Sequence, residues 1–148
     1  MRAWIIHNDV RKYFATFQGI AREKLLIALI KCGNLVADET RLYAPVDTGM
    51  LKASIASVVI SVDRMEVVIE ITAVNKQGRP YPLFQEYGWR TKDGTKIEGR
   101  FFLHGALANT QEECIRIIKK AIEDATSEVR DGSYFSYIIE GSEEALLL

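Results

Sequence analysis

Residues 44–55 have the sequence APVDTGMLKASI, and the spacing of apolar side chains along the chain changes across them. Before this stretch apolar residues recur every three to four positions, as in a helix, and after it they alternate, as in a strand. Its proline disfavours the helical conformation in the residue before it, so the preceding helix should end there. Asp47 and Thr48 carry oxygens that can accept hydrogen bonds from nearby backbone N–H groups, and Gly49 can adopt a positive φ. The stretch therefore predicts a corner between a helix and a sheet, with an extended run from Leu51 onward.

Two long amphipathic helices are predicted on either side of the strands. Residues 21–42 and residues 103–129 each carry an apolar stripe at helical spacing, with charged side chains between the apolar positions. The first twenty residues are ambiguous. A short helix could begin near Asn8 or Asp9, and Gly19 weakens any continuation into the next segment.

Two strands follow the corner and are expected to form an antiparallel hairpin that is packed on one side. Residues 54–62 have two alternating sets: a more apolar face of Ser54, Ala56, Val58, Ile60 and Val62, and a mixed face of Ile55, Ser57, Val59 and Ser61. In residues 65–73 one face carries Val67, Ile69 and Ile71, and the other carries Glu66, Val68 and Glu70. In the long connection that follows, residues 83–89 predict either a strand or a single helical turn, and the Asp93-Gly94 pair is a hairpin-turn signal. The predicted fold class is α+β, with two long helices packed on a small antiparallel sheet, a long basic loop or hairpin, and a C-terminal arm.

Length and composition favour one globular domain over residues 1–131, followed by a tail over residues 132–148. Within that tail, residues 134–139 form a β-prone apolar run, which could add as a strand to the sheet edge of another chain or fold back on its own domain. The net charge of −1 gives no overall attraction to nucleic acid or to an anionic membrane. No apolar run approaches the roughly 20 residues that a membrane span needs, so we expect a cytoplasmic site of synthesis.

Few residues suggest catalysis or metal binding. The tripeptide 47–49, Asp-Thr-Gly, occurs at the active site of aspartic proteases, but here it follows a helix and a proline instead of an apolar strand. His7 and His104 have no metal ligand at a typical spacing, and Cys32 and Cys114 lie within helical patterns as buried small apolar residues would. We therefore expect no enzyme, no metal and no cofactor.

The region from residue 76 to residue 100 interleaves aromatic and basic side chains. Such a pattern suits single-stranded nucleic acid, because bases stack on aromatic rings and phosphates pair with cations. The alternative is that the aromatic rings anchor the loop to the core while the cations are solvated, which the absence of net positive charge favours. The candidate channel-facing or partner-facing cations are Lys76, Arg79, Arg90, Lys92 and Lys96.

Three stretches together resemble the head–tail joining and tail-completion proteins of tailed bacteriophages. Residues 44–55 look like the family's APVDTG-x-L-(R/K)-x-SI motif, and residues 84–88, FQEYG, look like its aromatic–Glu–aromatic–Gly element. Residues 100–107, RFFLHGAL, resemble its RPFLRPAL element, although Phe101 and Gly105 replace the usual prolines, which predicts a looser start to the last helix. The motif residues that this resemblance singles out are Pro45, Asp47, Thr48, Gly49, Leu51, Ser54, Glu86, Tyr87, Gly88, Arg100, Phe102 and Leu103.

The resemblance implies a structural virion protein that is assembled in the bacterial host cytoplasm. Its subunits are expected to form a ring, of six copies, between neck or connector proteins and the tail tube, without contact to a membrane. The basic loop could face DNA in the channel or an acidic neighbouring subunit. The alternative function is a single-stranded nucleic-acid-binding module that uses residues 76–100, and a third is a protease-like dimer that uses Asp47.

Overall fold

A computed structural model describes residues 2–46 and 49–130, with side chains described from residue 14 onward. The described chain is α+β, as the sequence predicts, with two long helices and two small antiparallel sheets. Its elements in chain order are α1 (Arg2–Tyr43), α2 (Met50–Ala53), β1 (Ile55–Ser61), β2 (Glu66–Ile71), α3 (Pro82–Tyr87), β3 (Gly88–Arg90), β4 (Lys96–Glu98) and α4 (Phe102–Arg130).

Helix α1 is longer than the sequence pattern indicates. It runs without a break from Arg2 through Gly19 to Tyr43, so the expected start near Asn8 or Asp9 and the expected weakening at Gly19 are wrong. One glycine inside a helix costs about 1 kcal/mol relative to alanine, which the helix-forming residues around it can outweigh. The predicted end of the helix before the proline is confirmed.

The corner after α1 contains a helical turn that the sequence pattern did not predict. Gly49 has the positive φ that was expected, 77°, and it begins the four-residue helix α2. The N–H of Ala53 donates to the Gly49 carbonyl oxygen at 3.0 Å, and the Ser54 hydroxyl donates to the Leu51 carbonyl oxygen at 2.8 Å. The predicted extended run from Leu51 is therefore wrong, and the strand begins at Ile55. The turn brings the Leu51 side chain into the core, where it is 3% exposed.

The predicted hairpin of β1 and β2 is confirmed as an antiparallel pair, in which Ile55 lies opposite Ile71 and Val58 lies opposite Val68. Its register shifts between Val59 and Ser61. One face of this pair packs on α1 at Gly33. A side chain there would meet Ser57 Oγ and Val67 Cγ1, so the glycine permits the close approach. The covered face is the mixed one of β1, while the more apolar alternate positions of that strand lie on the opposite face.

The connection between β2 and α4 is structured over much of its length. Of the two alternatives for residues 83–89, the helical one is correct for α3, and the strand β3 begins only at Gly88. Strands β3 and β4 pair antiparallel around the predicted Asp93-Gly94 turn. The predicted final helix is confirmed and extends one residue further at each end, to Phe102 and Arg130.

The main core lies between the corner, the first sheet and the start of α4. Its members, apart from small alanines, are apolar side chains from three separate stretches of the chain: Leu51, Ile55 and Phe102, with Ile69, Ile71, Tyr81 and Leu103 packed around them.

The contacts within the chain fall into two compact units. One comprises residues Leu29–Arg116 and holds both sheets and this core. The other takes α1 up to Ala28 and α4 from Ile117 onward, and it buries small side chains such as Ala121 and Ala125. Whether residues 1–131 form a single domain stays a prediction, and the predicted arm over residues 132–148 lies outside the described residues. None of the described helices combines the length and the apolar character needed to cross a membrane.

Candidate functional site

The strongest polar constellation in the described chain is a buried carboxylate at the start of α4. Glu86, from α3, is 4% exposed and accepts hydrogen bonds from the backbone N–H groups of Leu103 and His104, both at 3.0 Å. The Nδ1 atom of His104 lies 2.5 Å from Glu86 Oε1. The first N–H groups of a helix have no partner within that helix, and a negative charge there is also favoured by the helix dipole. Glu86 therefore caps α4 from another part of the chain.

Two effects oppose each other in the ionisation of Glu86. Burial disfavours the charged form and raises the pKa, whereas the Leu103 and His104 donors favour it and lower the pKa. The hydrogen bonds outweigh burial, and the pKa of Glu86 lies below its ordinary value of 4.5. The carboxylate is thus held as an anion that positions α4 and the loop before it.

The loop before α4 is fixed to α3 by its backbone. The N–H of Arg100 donates to the Gln85 carbonyl oxygen at 2.9 Å, and the N–H of Phe101 donates to the Glu86 carbonyl oxygen at 3.1 Å. Phe101 has a positive φ of 48°, and Phe102 behind it is fully buried. These bonds and the Glu86 cap hold the start of α4 where the family has prolines, and the expected looser start stays a prediction.

The backbone conformation at position 88 requires the glycine that ends the aromatic–Glu–aromatic–Gly stretch. Its φ is 81°, and a Cβ atom there would lie 2.2 Å from the carbonyl oxygen of Ile97. Only a residue without a side chain allows β3 to leave α3 so close to β4.

An exposed aromatic cluster lies over the buried carboxylate. The rings of Tyr87, Phe101 and His104 contact one another edge to face, with centroids 5.6–6.1 Å apart. Tyr87 is 54% exposed although it is a large aromatic residue. A groove of about 320 Å³ opens beside the cluster. We call it the aromatic groove, and its lining consists of Ile69, Ile71, Pro80, Pro82, Leu83, Glu86, Tyr87, Phe102 and Leu103.

A second cleft, of about 350 Å³, lies at the corner. Pro45, Gly49 and Leu51 of the first motif line it together with residues of the following connection, among them Lys76 and Tyr81. Asp47 and Thr48, which were expected to fix the corner, lie outside the described residues. The predictions for their side chains, including the protease-like use of Asp47, are therefore not tested.

The side of the first sheet that faces away from Gly33 carries apolar residues. We call this the outer sheet face and define it as Ala56, Val58 and Val68, with Ile60 continuing the alternation along β1 and with the carboxylates Glu66 and Glu70 of β2 on the same side. Ile60 is 48% exposed, and Val58 and Val68 are half-buried. Neighbouring apolar residues that stay partly exposed on a sheet face are found on surfaces that bind another protein.

The candidate cations of residues 76–100 are all exposed, but they do not form one cluster of free charges. Lys96 Nζ lies 2.7 Å from Glu98 Oε1, and Arg90 donates to the Gly94 carbonyl oxygen at 3.3 Å. Lys76, Arg79 and Lys92 make no ion pair with another described residue. The structure thus leaves part of the predicted basic surface available to a partner.

The fold brings together two pairs of residues that sequence spacing kept apart. His104 is exposed, as the sequence predicts, and its Nδ1 atom meets Glu86, which lies eighteen residues away in the chain and which the sequence spacing did not link to it. The second pair is Cys32 and Cys114, in which Cys32 Sγ donates to the Cys114 carbonyl oxygen at 3.7 Å. Burial is the larger cause, and the neighbouring Cys114 thiol the smaller one, that together raise the pKa of Cys32 to about 11. No group of three potential metal-ligating side chains occurs among the described residues. The side chain of His7 lies outside them.

Comparison of the chain with protein-family models, with curated proteins and with solved structures gives no match.

Proposed function

We propose that the protein is a structural subunit of a bacteriophage or prophage virion, placed at the head–tail junction, that acts by assembling into a ring. The observation that carries this proposal is the outer sheet face, where the two-stranded sheet leaves apolar side chains partly exposed. Each strand of that sheet has only one strand neighbour among the described residues, so it offers further edges for pairing. A head-to-tail contact through such a surface closes into a ring when its rotation permits.

The three motif stretches that resemble tail-completion proteins support the proposal, because they meet in one core. Leu51 of the first and Phe102 of the third belong to the same buried cluster. Glu86 of the second caps the helix that the third begins. These residues hold the fold, which leaves the exposed apolar surfaces for neighbouring subunits and for the neck and tail-tube proteins.

The proposal is tested by the mass of the protein in solution, measured by sedimentation over a concentration series. We expect a discrete ring-sized species, of six copies, or growth toward one. The substitution Ile60→Glu places a carboxylate on the outer sheet face. If this face is the interface, association would bury that unpaired charge at a high cost, so the variant should sediment as smaller species than the parent. Ile115→Glu is the matched control, since Ile115 on α4 is exposed to a similar extent, 45% against 48% for Ile60.

Three results decide between the possibilities. Assembly lost in Ile60→Glu and retained in Ile115→Glu would support an interface on the outer sheet face. Equal behaviour of the two variants would remove the outer sheet face as the interface. A parent protein that stays monomeric at every concentration, with and without neck proteins, would overturn the ring.

A second candidate function is binding of single-stranded nucleic acid through residues 76–100. It is favoured by cations that make no ion pair with another described residue, such as Arg79 and Lys92, and by the exposed ring of Trp89 in the same segment. Its test is the fluorescence anisotropy of a labelled oligonucleotide at several salt concentrations. Binding that weakens steeply with salt, and weakens further in Lys92→Gln, would support it, because phosphate contacts release counterions. The same oligonucleotide titration, with Lys92 and Lys96 each replaced by glutamine, would test whether these side chains contact DNA in the channel of the ring.

A further inference from the structure

We propose that the aromatic groove receives residues 131–148 of a second copy of this chain. This inference rests on the proposed function in that it requires copies to associate, and it adds which segment docks and where. The groove is suited to a short segment. At about 320 Å³ it lies at the lower end of the ~300–1,000 Å³ range of pockets that bury small ligands, so it admits a few side chains and not a folded domain.

The lining of the aromatic groove fits an apolar and aromatic occupant. Leu83 is 66% exposed on one side of it, Tyr87 and its partner rings stand beside it, and the one carboxylate in its wall is Glu86. That carboxylate is already satisfied by the first turn of α4. Aromatic side chains in such a site gain from both burial and edge-to-face contacts.

The charge of residues 76–100 indicates which kind of peptide segment the aromatic groove could bind. Residues 76–100, which contain the groove's Tyr87 and the loop leading to Phe101, carry six Lys or Arg and three Asp or Glu, a net charge of +3. Two of those acidic groups are engaged, Glu86 at α4 and Glu98 at Lys96. The groove lining itself contains no Lys or Arg, but Arg79 and Arg100 lie within two residues of the lining positions Pro80 and Phe102. An occupant that is apolar and acidic therefore complements the groove and its surroundings, and opposite potentials favour both encounter and register.

The part of the chain beyond α4 has this composition. Residues 131–148 contain four acidic residues and no Lys or Arg, a net charge of −4. The run 134–139, YFSYII, supplies three aromatic and two isoleucine side chains directly before Glu140. Alternate side chains of an extended segment point to the same side, so two or three of them can enter a groove that is walled by Ile69 and Ile71 of β2.

The docking is measured with a labelled synthetic peptide of residues 131–148 titrated into the full-length protein. We expect saturable binding that weakens as salt rises, because the charges involved are exposed. A peptide with serine at positions 134, 135 and 137 keeps the charge and should not bind. Leu83→Glu in the protein should weaken binding about tenfold or more, because it places a charge in the wall that an apolar side chain is expected to contact. Leu107→Glu, on α4 and outside the groove, should leave binding unchanged.

Mixing distinguishes a second copy from the chain's own tail. Leu83→Glu protein has a damaged groove and an intact tail, and Tyr137→Asp protein has the reverse. If the tail docks between copies, each alone should sediment as smaller species, while an equal mixture restores one contact per pair and forms dimers. A mixture that behaves as the sum of its components would overturn docking between copies, whether the tail binds its own groove or none.

The failure of this inference is separable from the failure of the ring. Rings that persist in Leu83→Glu, with no peptide binding, would overturn the docking and leave the proposed function standing. Peptide binding and complementation in a protein that forms only dimers would sustain the docking and overturn the ring. Equal binding of the intact and the serine-substituted peptide would also overturn the docking, because charge alone would then account for it.

Discussion

Replacing Glu86 by glutamine is the most direct perturbation of the structure around α4. The side chain keeps its size, so the core around Phe102 should stay packed. It loses its charge, and only one of its two oxygens remains to serve the N–H groups of Leu103 and His104. The amide nitrogen that replaces the other oxygen faces a donor and cannot accept its hydrogen bond.

The size of the effect follows from those contacts. A hydrogen bond to a charged group contributes about 1.5–3 kcal/mol, and loss of a helix cap costs about 0.5–2 kcal/mol. Because one bond of the two survives, we expect Glu86→Gln to lower the free energy of unfolding by about 2 kcal/mol. At ~2–4 °C per kcal/mol for a chain of this size, the melting temperature should fall by about 4–8 °C.

The pH dependence of this loss tests the electrostatic part of the reasoning. The pKa of Glu86 in the folded protein is lowered relative to its ordinary value of 4.5, so its contribution is fully present above that pH. The contribution is lost as pH falls through the lower, folded-state pKa, where the parent becomes protonated and resembles the glutamine variant. The difference in unfolding free energy should therefore be constant near neutral pH and shrink below about 4.5.

Thermal and urea unfolding followed by far-UV circular dichroism measure both quantities. Glu98→Gln is the matched control, because Glu98 is an exposed carboxylate that pairs with Lys96 at 2.7 Å. An exposed pair of this kind contributes about 0–1 kcal/mol, so the control should melt close to the parent. A Glu86→Gln protein that melts with the control at neutral pH, or whose deficit does not change with acid, would refute the capping role.

Three further predictions concern backbone fit and burial. Gly49→Val should lower stability by about 1–3 kcal/mol through strain at φ 77° alone, since no atom lies within 4 Å of the added Cβ; a variant that melts like the parent would remove that role. Gly33→Ala should lower the free energy of unfolding by about 1–3 kcal/mol, because its Cβ would lie 2.2 Å from Ser57 Oγ. Gly19→Ala, in open space on α1, should instead raise it by about 0.5–1 kcal/mol. Urea unfolding should show these opposite signs, and equal signs would contradict the reasoning. Cys32, with a pKa of about 11, should react with iodoacetamide at about pH 8 roughly a hundredfold more slowly than an ordinary thiol. Because Cys114 is a second free thiol and is less buried, the labelled site is assigned by peptide mapping, and rapid labelling at Cys32 would contradict its burial.

The α+β class and most elements could be predicted from the sequence, because their signals are local. The stripe over residues 103–129 arises from the geometry of one helix, and α4 matches it to within one residue at each end. The Asp93-Gly94 pair predicted the β3–β4 turn for the same reason, since a short connection, here residues 91–95, is set by the conformations its own residues can adopt. Gly49 likewise has the positive φ that its lack of a side chain allows.

Tertiary contacts decided what the local signals could not. Alternation predicted a hairpin packed on one side but did not decide which side. Gly33 lets α1 approach the Ser57 side, and Val58 and Ile60 therefore lie on the outer face. The cap of α4 comes from Glu86, which no periodicity links to His104, because the match depends on how α3 and the loop after β4 fold back. The sequence by itself determined which segments are helices and strands, since that depends on neighbouring residues. Only the tertiary structure decided which apolar side chains remain exposed for a partner, since burial depends on residues distant in the chain.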